Sequence, residues 1–276
     1  MTRSELEAVR GVYRSFSSHK FCSPNDVFVM CDATSIDQIF PDWICRSKLD
    51  QCFYQPFDLN LSDALPRRRD NALHYRMDPP LSESGLFESH LVGRQLKEKC
   101  VKLSQIVCAP MFKSIQTANE IRSFFSDCSG VYIEQAFLPK YFPDDVLLRA
   151  EDLKKLDILV RANADYVSSE STPLAETDDL GEIAARVLAA AKAFLDCAGA
   201  KHKSKCDAVL FVVSAPIMKL LVDYFESKIA LDQSCYITCA SMRQLERKAA
   251  KCYPPSSILS FSWRTSTEND CQSNYN

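Results

Sequence analysis

Ala208-Val209-Leu210-Phe211-Val212-Val213 is six apolar residues with no polar break, and it runs almost directly into Pro216-Ile217-Met218-Lys219-Leu220-Leu221. A strand that is apolar at every position has no face to give to water, so it must be covered on both sides. Proline near the first turn is compatible with a helix starting at once, because that turn has spare amides. The same order recurs. Val27-Phe28-Val29-Met30-Cys31 follows the turn residues Pro24-Asn25-Asp26. Ser104 to Ala109 is stopped by Pro110 and followed by Ile115, Ala118, Ile121 and Phe125 at helical spacing. Val131 to Glu134 is a shorter run of the same kind. Strands alternating with helices predict an α/β fold, a mostly parallel central sheet with helices on both faces.

Two further helices are expected. Asp78-Pro79-Pro80-Leu81-Ser82-Glu83-Ser84-Gly85 reads as a helix start, with Ser82 or Ser84 as the cap, leading through Leu91, Val92 and Leu96 to Lys99. Leu180, Ile183, Ala184, Val187, Leu188, Ala191, Phe194 and Leu195 form the clearest amphipathic stripe. A last strand is expected at Ile258 to Phe261. Residues 1–20 read as an N-terminal arm, 21–262 as a single domain with an irregular insertion at 36–80, and 263–276 as a disordered tail.

Composition narrows the function class. The 276 residues are 46% hydrophobic, and the net charge is 33 − 36 = −3. No broad basic field favours nucleic acid, and no apolar run approaches a membrane span. The run Pro66-Arg67-Arg68-Arg69 and the stretch Lys201 to Lys205 read as solvated loops. Thirteen cysteines is an odd number and includes no Cys-x-x-Cys, which argues against a disulfide framework. Cys31, Cys108 and Cys206 read as small apolar residues in or beside strands. With no signal core at Met1 to Glu7, a reducing cytoplasmic or nuclear compartment is expected. The cysteines do not pair with the four histidines, His19, His74, His90 and His202, at zinc-site spacing. No metal or other cofactor is therefore expected.

In a parallel sheet, ligands bind beyond the carboxyl ends of the strands. Residues 31–35, 110–113, 135–139 and 214–216 are therefore expected to share one cleft.

Around those strand ends the chain resembles the histidine phosphatase, or phosphoglycerate-mutase-like, superfamily. The nearest branch contains the suppressor-of-T-cell-receptor-signalling and ecdysteroid-phosphate phosphatases. The resemblance is carried by Asp37-Gln38-Ile39-Phe40, Leu65-Pro66-Arg67-Arg68, Asp78 to Ser82, Gly85-Leu86-Phe87 through Leu91-Val92-Gly93, Ala109-Pro110-Met111-Phe112-Lys113-Ser114-Ile115-Gln116-Thr117-Ala118, and Val131 to Leu138. Their order and spacing extend over roughly residues 25 to 262. The resemblance implies a phosphatase fold. It also implies a mechanism in which a histidine after the first strand takes the phosphoryl group, arginines and a second histidine clamp its oxygens, and an acid protonates the leaving group.

The same resemblance puts different residues at those positions. Cys31 stands for the first arginine, Asp32 for the nucleophilic histidine, and Ala33 for the glycine. Ser35 stands for the next arginine, Lys113 for the clamp arginine, Pro139 for the acid, and Ser214 for the second histidine. A few residues of loop drift would bring Glu134 or Asp144 toward the acid position instead. A phosphate dianion would meet Asp32 at close range, a repulsion on the order of several kcal/mol in a partly buried site.

Other chemistries fit poorly. A cysteine phosphatase needs Cys-x5-Arg, and six residues after Cys31 stands Asp37. An aspartyl-phosphate enzyme needs an acid two positions after Asp32, where Thr34 stands. Ser214 lacks the glycines of a nucleophile elbow. Asp32 with Glu134 is a meagre donor set for a cation. The sequence is read as a pseudophosphatase that works by binding a protein partner or as a scaffold. The alternative is an active phosphomonoesterase with a displaced mechanism. Members of the related branch dimerise through their phosphatase domains, but no motif here demonstrates a homodimer. No adaptor module is recognisable, so recruitment is expected from the domain surface.

Overall fold

In a computed structural model of the chain, the described residues are 26–156 apart from 52, 67, 69, 129, 141 and 144, then 158, 180–201, 208–225 and 242–246. Five strands form one sheet: β1 (Asp26–Cys31), β2 (Leu103–Cys108), β3 (Val131–Ile133), β4 (Ala208–Val213) and β5 (Met242–Glu246). Their order is β3-β2-β4-β1-β5. The first four are parallel, and β5 joins β1 antiparallel. The four parallel strands are those the apolar runs predict. The edge strand β5, Met-Arg-Gln-Leu-Glu, carries a polar or charged residue at most positions and gives no such signal. The expected strand at Ile258 to Phe261 lies outside the described residues.

Period-two alternation sorts the strand residues into two cores. Phe28, Met30, Ile106, Cys108, Leu210 and Val212 face one layer with Val92 and Leu96 of the Glu83–Glu98 helix and Ile115 and Ala118 of the Phe112–Arg122 helix. Val27, Val29, Val107, Val209, Phe211 and Val213 face the other, with Ile183, Val187 and Phe194 of the Leu180–Lys201 helix and Ile217 and Leu221 of the Ala215–Phe225 helix. Both faces of the sheet are thus buried, which is why the strands tolerate no polar alternation. The Phe112–Arg122 helix ends three residues before Phe125, which the sequence pattern includes.

The 36–80 segment corrects the expectation of an irregular loop. It holds short helices at Ile36–Ile39, Trp43–Arg46 and Asn71–Met77 and a 3-10 turn at Leu49–Gln51. Trp43, Leu49, Leu61 and Tyr75 from this segment are buried in the first core. Helices of four to seven residues are too short to show a hydrophobic period. Their burial comes from packing against the sheet.

The Glu83–Glu98 helix begins where Ser82 predicts, its Oγ accepting from the Gly85 amide at 3.0 Å. Ser82 also donates through its amide and its hydroxyl to the Thr34 carbonyl, at 3.0 Å each. A Cβ on Gly85 would collide with that carbonyl oxygen. The glycine therefore lets the helix press against the loop that leaves β1.

Candidate functional site: the cleft beyond β1, β2 and β4

Chain direction and register bring Asp32, Lys113 and Ser214 together. Cys31 is paired with Val213, and the Asp32 amide donates to the Val213 carbonyl at 3.0 Å, so Asp32 and Ser214 leave adjacent strands side by side. Lys113 is the second residue of the helix that follows β2. Its Nζ lies 3.2 Å from Asp32 Oδ2. Asp32 is 4% exposed, so this is a buried carboxylate held by one cation.

The remaining contacts of Asp32 are weaker. Cys31 Sγ donates to Oδ1 at 3.3 Å, and Ser114 Oγ approaches Oδ2 at 3.5 Å. Burial is the largest influence on the Asp32 carboxyl and lifts it above its ordinary range, against the pull of Lys113. Burial likewise works against the Lys113 ammonium, but the Asp32 carboxylate outweighs it, helped by Asp37, and the lysine is held above its usual range. The two shifts pull opposite ways on the charge pair. Asp32 is the more deeply buried partner, so it carries the strain of the pairing, while Lys113 stays a cation.

The loop after β1 is fixed by the elements around it. The Ala33 amide donates to Thr117 Oγ1 at 3.1 Å, and Thr117 donates in turn to the Lys113 carbonyl at 2.9 Å. Thr34 donates from its amide and hydroxyl to Glu88. Ser35 is fully buried and turned to local capping: its amide donates to Gln38 Oε1 at 2.8 Å and its hydroxyl to Asp37 Oδ1 at 2.6 Å. Ser35 is thus bound into the start of the Ile36–Ile39 helix.

Under the lysine helix sits a second buried pair. Arg68 Nη2 lies 3.1 Å from Asp78 Oδ2, and Nη1 donates to the Val146 carbonyl at 2.5 Å. The guanidinium stacks over Tyr75 at 4.4 Å. Asp78 Oδ1 accepts from the Phe112 amide at 2.7 Å and so caps the Phe112–Arg122 helix from outside, since Met111 at the N-cap has no acceptor to offer. The sequence pattern places Arg68 in a solvated loop, and the structure corrects this. Arg68 is buried because Asp78 neutralises it and aromatic faces shelter it.

The other predicted residues divide. Cys31 is buried at the strand end, as a packed cysteine. Ser214 is buried, and its Oγ has no hydrogen-bond partner among the described residues. Pro139 is half-buried beyond the Gln135–Phe137 turn, and its ring has no proton to give. The Glu134 carboxylate accepts from the Ala136 amide at 2.8 Å. Asp144 lies outside the described residues. Among the described residues no group of three or more His, Cys, Asp or Glu side chains is arranged to hold a metal, and no helix is long and apolar enough to cross a membrane. Sequence reasoning assigned no role to Ser114, Thr117 or Glu88. Thr117 stands four residues after Lys113 and so shares its helix face, which is the signal that would have found it.

The architecture matches a solved phosphatase. The ecdysone phosphate phosphatase from Bombyx mori, in complex with tungstate, superposes with a TM-score of 0.62 at 18% identity, over 87% of this chain and 97% of that one. The fold is that of the histidine phosphatases. The histidine-phosphatase fold is accompanied by local sequence likeness in the branch the motifs indicate. Ubiquitin-associated and SH3 domain-containing protein A of Mus musculus is 32% identical over 105 residues, 36% of this chain and 16% of that protein. The ecdysteroid-phosphate phosphatase of Drosophila melanogaster is 30% identical over 93 residues, 33% of this chain and 12% of that protein. The chain therefore spans well under a fifth of the length of these curated relatives. No protein-family model matches it.

Proposed function

We propose that this chain is a pseudophosphatase: a histidine-phosphatase fold without phosphatase chemistry, acting as a protein-binding or scaffold module in the cytoplasm. One observation carries the reading. The position that the resemblance gives to a phosphate-attacking histidine holds Asp32, and the cation beside it, Lys113, is engaged by that carboxylate. A buried carboxylate hydrogen-bonded to lysine is a poor nucleophile, and it repels the substrate it would have to attack. Ser214, at the second-histidine position, adds no charge. Pro139, at the acid position, adds no proton.

Protein binding is supported by the surface. Leu59 is 96% exposed and Phe87 62% exposed. The Glu83 amide at the start of the Phe87 helix donates to the Asn60 carbonyl, so the two apolar side chains belong to neighbouring elements. An exposed apolar side chain on each of these elements marks where a docking partner is to be sought.

The test is hydrolysis of an aryl phosphate by the purified protein, with and without divalent metal. It is run beside the variant combining Cys31→Arg, Asp32→His, Lys113→Arg and Ser214→His. The expected result is no turnover by the natural protein. Turnover that disappears in Asp32→Ala would replace this reading with the displaced phosphomonoesterase mechanism.

A further inference from the structure

We infer that the Asp32 carboxylate is a built-in anion that occupies Lys113 at the start of the Phe112–Arg122 helix and makes the cleft refractory to phosphate and phosphorylated ligands. The inference rests on the reading of this cleft as the degenerate counterpart of a phosphatase site, and it specifies which ligand chemistry the cleft rejects. A helix start with a lysine in its first turn would ordinarily attract an external anion. Here the carboxylate is already on the lysine at 3.2 Å, with the Ser114 hydroxyl at 3.5 Å.

Three features keep an external phosphate from displacing it. First, Asp32 is delivered by a fixed backbone. Its own amide is tied to Val213 and the next amide to Thr117, so the carboxylate is held at a high effective concentration. Second, Asp37 acts on Lys113 as well as Asp32, so two carboxylates face one ammonium, while Asp78 is already paired with Arg68. A dianion entering here meets net negative charge. Third, the Ser214 hydroxyl, buried on the adjacent strand end without a partner among the described residues, does not offset that repulsion, since a neutral hydroxyl brings only a dipole. Neutralising Asp32 alone should therefore expose a small oxyanion site made of Lys113, Ser114 and Ser214. A ligand that uses this cleft in the natural protein is neutral or cationic where it meets Asp32.

The experiment is a titration with inorganic phosphate at constant ionic strength, followed by phosphorus NMR line width. It uses the natural protein, Asp32→Asn, Asp32→Ser, and Asp32→Ser combined with Lys113→Met. The natural protein should show no saturable binding. Asp32→Asn and Asp32→Ser should bind at least about a hundredfold more tightly, from the removal of one like charge at close range. The added Lys113→Met should abolish that gain. Saturable, Lys113-dependent binding by the natural protein would overturn the inference. So would Asp32→Asn or Asp32→Ser that folds with unchanged circular dichroism and binds no more tightly. The natural protein also gives a fold-independent arm: its melting midpoint should coincide in phosphate and in chloride of equal ionic strength, and a phosphate-specific rise counts against the inference. Aryl phosphate turnover by the natural protein would defeat the pseudophosphatase reading. Phosphate binding without turnover would defeat only this inference.

Discussion

Two buried ion pairs lie at the two sides of one helix start, and they are built differently. Arg68–Asp78 is densely held. The guanidinium meets Asp78 and the Val146 carbonyl and lies over Tyr75, while the other Asp78 oxygen caps the helix through Phe112. Asp32–Lys113 is sparse: one close contact, a thiol at 3.3 Å and a hydroxyl at 3.5 Å, with the lysine side chain 18% exposed. Through Val146 and Phe112 the first pair reaches elements far along the chain and holds the helix in place. The second stands in the cleft and sets the charge that a ligand would meet. A densely held pair is costly to break from either end, whereas a pair with few contacts and a partly exposed lysine is expected to be edited at smaller cost.

The largest expected effect tests the densely held pair. Asp78→Ala leaves Arg68 buried without its carboxylate and removes the helix cap. Chemical denaturation should show a loss of about 3–5 kcal/mol. A loss below about 1 kcal/mol would erase the contrast between the two pairs.

The next effect is pH dependence. Burial pushes the Asp78 carboxyl up to about 6, against the opposing pull of Arg68 and the Phe112 amide. With the folded value raised, the group's stabilising contribution is fully present below its unfolded value of 3.8 and is lost as pH rises through about 6. The stability of the natural protein minus that of Asp78→Asn should therefore fall as pH increases from about 4 to about 6, by on the order of 2 kcal/mol. A difference that is flat, or that rises, would show that Arg68 dominates burial at this site.

The smallest effects belong to the cleft. Lys113→Met should cost about 1–2 kcal/mol, less than Asp78→Ala, because the abandoned Asp32 can take up a proton. Asp32→Asn should change stability by less than about 1 kcal/mol, since it removes a buried charge together with its partner's attraction. Thermal or denaturant melts of the two variants give the ranking. Losses equal to that of Asp78→Ala would make the cleft pair a structural element and not an editable one.

The contrast has a counterpart in what the chain's order reveals. Ala208 to Val213, Val27 to Cys31 and the Ser82 cap are local patterns, and each appears in the structure where its pattern lies. Arg68 has no such pattern. A charged run between Pro66 and Asp70 looks like solvent-facing chain until Asp78, Tyr75 and Val146 are folded around it. Trp43 and Tyr75, which meet edge to face at 6.0 Å, are similarly invisible, since the short helices that carry them give no period.

The sequence by itself determined the parallel sheet and its two covered faces. Strand apolarity and helix periodicity are set by near neighbours along the chain, and the carboxyl ends of the strands follow from chain direction. It also put Asp32, Lys113 and Ser214 at those ends. Only the tertiary structure decided that Lys113 is engaged by Asp32 and that Arg68 is buried against Asp78, which caps the helix carrying Lys113. The contacts of Asp32 with Lys113, Arg68 with Val146 and Asp78 with Phe112 join residues far apart in the chain. Their geometry and desolvation exist only once the elements have packed, and no local pattern encodes them.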